Sequence, residues 1–159
     1  MFDWRWDFAF EILPRLLQAT LNTLAAAGIG YGIAVVLGLV FALAQRTPSR
    51  FVTLVVRECV EFIRSTPLVL QIFFVFFVGP QFGIRLSPWV AGMIAIGLHY
   101  SAYLSEVYRG GLEAVPKGQW EACTALNLST TKTYFRVIIP QALPPSLAGM
   151  GNYLVGIFK

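Results

Sequence analysis

His99, Tyr103 and Glu106 are the residues of this chain best spaced to act together. On a helix His99 and Tyr103 lie one turn apart, and Glu106 returns to the His99 face after two turns. An imidazole, a phenol and a carboxylate along one stripe of an apolar segment suit two uses. They can hydrogen-bond a neighbouring helix, or they can line a path for a polar solute. Embedded enzyme chemistry is the weaker alternative, because no carboxylate pair, His/Cys cluster or Ser/His/Asp set falls within an apolar window. The chain has one histidine and no CxxC, so no metal-ligand spacing exists and no cofactor is expected. No GxxxxGK[ST] loop is present to hold a nucleotide, so any ATP hydrolysis must lie on another chain.

The surroundings of these groups are apolar. The 159 residues are 57% hydrophobic and only 13% charged, about half the charged share of a soluble domain, which points to an all-α polytopic membrane protein. Net charge is +4, but the basic residues fall at the ends of apolar runs, where they orient a chain in a bilayer rather than bind nucleic acid. Spans are expected at about 16–45, 55–79, 87–107 and 141–159, making 16–159 one transmembrane domain behind a leader at 1–15. The leader lacks the basic start and cleavage site of a removed signal peptide. In the first span Gly28 and Gly32 form a GxxxG pair suited to close helix approach. In the second, the dense apolar part at 68–78 is too short to cross alone. Residues 51–63 must then contribute, although Arg57, Glu58, Glu61 and Arg64 sit close by, spaced for pairing at three and four residues. The last window is interrupted by Pro140, Pro144 and Pro145, so only 146–158 reads as regular helix.

Basic residues set the orientation. Arg46, Arg50, Arg57 and Arg64 fall in 46–64, and Arg109, Lys117, Lys132 and Arg136 fall in 108–136, against Arg85 alone in 79–87. Both rich segments are expected in the cytoplasm, with the N-terminus outside. Cys59 and Cys123 then face a reducing compartment and are expected unpaired. The cytoplasmic loop 108–138 holds a polar island. A short helix is expected from near Gly118 through Leu126, stopping at Asn127, a residue that tolerates the left-handed helix end. Ser129 is placed to cap a second short helix, and Pro140 to break the chain before the next apolar run. Such a knob at the membrane face offers a grip for a soluble partner.

Four motifs in order then carry a resemblance. They are Glu61-Phe62-Ile63-Arg64-Ser65-Thr66-Pro67-Leu68-Val69-Leu70-Gln71, Ala102-Tyr103-Leu104-Ser105-Glu106-Val107-Tyr108-Arg109-Gly110-Gly111, Lys117-Gly118-Gln119-Trp120-Glu121-Ala122, and Ile139-Pro140-Gln141-Ala142. With these the chain resembles the permease subunit of bacterial ABC importers, in the subgroup that handles polar amino acids and related compatible solutes such as ectoine. The resemblance implies the type-1 ABC importer transmembrane fold and a bacterial inner-membrane location. It implies no catalysis by this chain. The partners it implies are a separate ATPase subunit, a second permease that is identical or homologous, an extracytoplasmic solute-binding protein and the lipid bilayer. It assigns coupling to the ATPase to Gly118, Glu121, Ala122, Asn127 and Leu128, and a solute path between two permeases to the faces bearing Gln71, His99, Tyr103 and Glu106. Three positions depart from the pattern: Asn127 and Ser65 stand where glycine is usual, and His99 where asparagine is common. The family normally continues through a last helix after a pair like Phe158-Lys159. The sequence therefore reads as truncated relative to it, with a non-transporting remnant as the alternative.

Overall fold

The structure, a computed structural model, describes residues 5–159, so the start of the expected leader lies outside the described residues. Helix α1 runs from Trp6–Ala44, 39 residues or about 58 Å, roughly twice the hydrocarbon thickness of a bilayer. Residues 6–15 of the expected leader are the opening turns of α1. Their spacing explains this: Asp7 favours the positive helix start, and Glu11 and Arg15 stand four apart in the orientation that supports a helix.

The second window is not one helix. Helix α2 (Arg50–Ser65) begins at Ser49, whose hydroxyl accepts from the Val52 N–H at 3.5 Å. It stops at Thr66, which is extended (φ −96°, ψ 128°) because a residue before proline is pushed out of the helical region. Helix α3 (Leu68–Phe73) leaves the break at Thr66–Pro67 bent by 105° and continues through a π turn at Phe74–Val78 and a 3-10 turn at Gly79–Phe82. Helix α4 (Pro88–Glu113) starts with Ser87 accepting from the Val90 N–H at 3.3 Å and Pro88 in its first turn. It runs past 107, so 108–113 are its last turns rather than loop.

Helix α5 (Lys117–Ala125) follows a short turn. Helix α6 (Thr130–Lys132) opens a π turn at Thr133–Ile138 that passes directly into α7 (Ile139–Ile157). Pro140 therefore does not break the chain, and regular helix starts well before 146. The proline lies just past the π turn in a helical run that continues from Thr130 to Ile157, and the wider turn before it accommodates the ring. No strand occurs among the described residues. By length and apolarity α1 qualifies to cross a membrane alone, and α2 with α3 qualify together as a broken span.

Packing is inverted relative to a soluble protein. Leu17, Leu21, Leu24, Val36 and Leu43 of α1 are exposed, while Ala27, Gly30, Ala34, Gly38 and Ala42 are buried. Without a hydrophobic drive between helices in lipid, close backbone approach must supply the contact, and small residues permit it. The contacts Gly30–Ile96 and Gly38–Leu104 advance together, so α1 and α4 run parallel. The expected GxxxG pair is not the packing face: a Cβ on Gly28 or Gly32 would meet nothing within 4 Å. A Cβ on Gly38 would lie 2.9 Å from both Leu104 Cβ and the Ser101 carbonyl oxygen. Gly38→Val should therefore destabilise the chain by about 1–3 kcal/mol, while Gly32→Val changes little. Thermal unfolding of the two variants in detergent checks this, and equal losses would refute the assignment of faces. Helix α7 packs antiparallel on α4, with Val107 against Gly149 and Gly111 against Ser146.

Candidate functional site

The break after α2 leaves helix-end carbonyls without intrahelical donors. Side chains of Gln71 and Tyr103 from beyond the break, and of Thr66 at the helix end itself, collect several of them. The Gln71 amide nitrogen lies 2.8 Å from the Ile63 carbonyl oxygen, 3.1 Å from that of Thr66 and 3.0 Å from His99 Nδ1. An amide NH2 only donates, so Nδ1 accepts and the ring proton belongs on Nε2. The Tyr103 hydroxyl donates to the Arg64 carbonyl at 3.1 Å, and Thr66 Oγ1 donates to Phe62 at 2.7 Å. Irregular backbone within a membrane requires this kind of cover. Around it the His99 and Tyr103 rings stand 5.1 Å apart, Tyr103 and Tyr153 5.3 Å, and the Arg64 guanidinium lies over the Tyr103 ring at 5.4 Å. Gln71 Oε1 is buried in this cluster with no protein partner.

Gln71, His99 and Tyr103 are thus brought together, and Glu106 is not. Its carboxylate pairs with Arg109 one turn on, and Arg109 also reaches Glu113 at 2.7 Å. The hydrogen bonds to Glu106 first, and then to Glu113, raise the Arg109 pKa, so the guanidinium stays charged. Tyr153 joins the cluster from α7, unannounced by anything near it in sequence. The Glu106/Arg109/Glu113 ladder was visible as i, i+3 and i, i+4 spacing.

The second candidate region is α5 with the turn that ends it. Asn127 takes the left-handed conformation, φ 50°. The Leu128 N–H donates to the Cys123 carbonyl at 3.0 Å and the Asn127 N–H to Thr124 at 2.9 Å, which is the Schellman pattern. Ser129 precedes α6 but its side chain makes no capping bond. Cys123 is buried, and Trp120 stacks edge-on against Tyr134 at 5.4 Å beneath the Arg46 guanidinium. Val115, Ile138 and Ala142 form the small core below. Gly118, Glu121 and Ala122 lie on the opposite, exposed face, and Leu128 is half-buried. Because asparagine only tolerates φ > 0, Asn127→Val should loosen this turn by about 1–2 kcal/mol, while Asn127→Gly preserves or tightens it. Hydrogen exchange at the Leu128 amide reads the effect, and equal protection in both variants would contradict it.

Comparison with known proteins agrees with this geometry. Residues 34–159 match the family described as binding-protein-dependent transport system inner membrane component. The chain is 44% identical, over 100% of its length and 72% of the relative's, to a probable amino-acid ABC transporter permease protein, y4tG, of Sinorhizobium fredii. It is 34% identical to the L-cystine transport system permease TcyB of Bacillus subtilis, with 97% of the chain and 66% of the relative covered. It is 35% identical to the nopaline transport system permease NocM of Agrobacterium fabrum, with 94% and 66% covered. The chain thus spans just under two thirds of the length of the cystine and nopaline permeases. A crystal structure of an amino acid ABC transporter with histidines superposes with a TM-score of 0.90 at 29% identity, covering 98% of this chain and 73% of that one. The inward-facing MetNI methionine ABC transporter gives 0.78 at 18%, covering 92% and 71%, which speaks to the fold alone. The chain therefore belongs to the binding-protein-dependent transport system inner membrane components, with the all-α type-1 ABC transporter transmembrane fold and as a permease of the amino-acid ABC transporter kind.

Proposed function

We propose that this chain forms one half of the translocation path of an ATP-driven importer for polar amino acids or related zwitterionic solutes, ectoine included. The observation that carries the reading is the broken second span. Helices interrupted within a membrane, with polar groups gathered at the gap, are how transporters build solute sites. Here the gap is ringed by Gln71, His99, Tyr103 and Tyr153, and Gln71 Oε1 is buried there without a protein partner. The cystine and nopaline permeases among the relatives belong to transport systems for solutes of this class.

In this reading Glu121 and Ala122 on α5 enter a groove of a separate ATPase subunit, with Gly118, Asn127 and Leu128 shaping the contact. A second permease completes the path, and an extracytoplasmic binding protein delivers solute. The loop bearing α5 faces the cytoplasm and the N-terminus faces outward in this reading, which the distribution of Arg and Lys supports. The test uses vesicles carrying the chain with its ATPase and binding protein. Uptake of a polar amino acid should require ATP, and a cysteine replacing Gly118 should react with an impermeant reagent only from the cytoplasmic face. ATP-independent uptake or labelling from outside would overturn the reading.

A further inference from the structure

A cleft of about 500 Å³ opens between α2 and the last turns of α4, at the end of the molecule that carries α5. That volume lies within the range of small-molecule sites. Its walls are charged: Arg57, Glu61 and Arg64 come from α2, Glu106, Arg109 and Glu113 from α4, and Gln45 and Arg46 close it from α1. The ion pairs found among the described residues all run along a single helix. Arg57 meets Glu58 at 3.1 Å, Arg64 meets Glu61 at 3.4 Å, and Arg109 holds both carboxylates of the α4 wall. None joins α2 to α4 across the cleft.

The two walls differ in what they lack. On α4 each carboxylate already has a guanidinium. On α2, Arg64 reaches Glu61 only at that long 3.4 Å, and its Nε is buried with no acceptor. Gln45, another lining residue, likewise has a buried amide nitrogen without an acceptor. Buried donors left unmade are costly and rare, and both of these belong to residues of one cavity. Arg46 does not fill the gap, since its guanidinium turns away to Trp120 and to the Tyr134 hydroxyl at 3.4 Å. The Arg64 guanidinium is also braced, lying over the Tyr103 ring. A planar fork held against a ring, about one-third exposed at the wall of an open cleft and only loosely engaged by Glu61, matches a carboxylate.

We propose that this cleft binds a small organic carboxylate, with Arg64 as its anchor. The site adjoins the Gln71–His99–Tyr103 cluster through the Arg64 guanidinium on the Tyr103 ring, but none of those three residues lines it. Two sources share this chemistry: the carboxylate of a transported amino acid on its way out, which rests on the function proposed above, and a free dicarboxylate of the cytosol, which does not.

The test is saturation-transfer NMR on the full chain in lipid nanodiscs, with L-glutamine and succinate as probes. Saturable binding of at least one probe is expected. It should weaken at least tenfold in Arg64→Gln, less in Arg64→Lys, and stay unchanged in Gly32→Val, where a side chain meets nothing. Glutamine alone behaving this way identifies the transported solute, and succinate binding identifies the free anion. The proposal falls if neither probe binds the unmodified chain. It also falls if binding is lost in His99→Ala while surviving in Arg64→Gln, because the ligand then sits in the membrane cluster. Equal losses in Arg64→Lys and Arg64→Gln, with both chains folded by circular dichroism, would also reject the anchor. Uptake itself is not a readout here, so this site and the transport function fail separately.

Discussion

Replacing Glu121 with alanine should reduce copurification of the partner ATPase about tenfold or more, with the amount of chain in the membrane unchanged. The reasoning separates folding from binding. Glu121 is exposed and makes no ion pair among the described residues, so removing its carboxylate should alter stability by no more than about 0.5 kcal/mol. Its neighbours on the buried side, Trp120 and Cys123, hold α5 to the core without it. Against a donor in a partner groove the same carboxylate makes a charge-assisted hydrogen bond. Losing it costs about 1.5–3 kcal/mol, or roughly 10- to 100-fold in affinity. Ala122→Trp should act in the same direction by bulk, since close approach needs a small residue there. Undiminished copurification of both variants would remove α5 as the coupling element.

Gln71→Leu should be among the most damaging single changes within the bundle. One amide nitrogen, with two hydrogens, lies within reach of the Ile63 and Thr66 carbonyls and the His99 ring, and leucine serves none of them. Losing these part-buried bonds costs about 1–3 kcal/mol. For a chain of this length that lowers the melting temperature by roughly 2–4 °C per kcal/mol, measurable in detergent. His99→Asn provides the control: a carboxamide oxygen can accept from Gln71 as Nδ1 does, so stability should be retained, whereas His99→Leu should lose it. An unchanged melting temperature in Gln71→Leu would mean that the break is held by packing alone.

Where the expectations held or failed follows from the range of the interactions involved. The turn after α5 was legible because it depends on one residue's tolerance of positive φ and on bonds among residues 123–128. The stop at Thr66 was equally local, written in Pro67, yet it was read as part of a continuous span. An apolar count sees length, not the loss of one helical residue and one N–H. Pro140 misled in the opposite sense. A proline directly after a π turn need not end a helix, and that turn's widening is not written in the residues around Pro140. Glu106 was grouped with His99 by helical phase, while Arg109, nearer on the same helix, took its carboxylate.

By itself the sequence determined the membrane class, the motif order that marks the family, and the local bounds of α5. Each of these depends on composition or on contacts within a few residues. Only the tertiary structure decided that Gly30 and Gly38 rather than Gly28 and Gly32 meet α4, that the second span bends by 105°, and that Tyr153 reaches Tyr103. Small residues permit close approach on any face of a helix, and which face is used depends on the shape of a partner many residues away. The same holds for the polar stripe of α4. Its residue types announce that something polar must be met. What meets it depends on where the broken helix delivers its carbonyls.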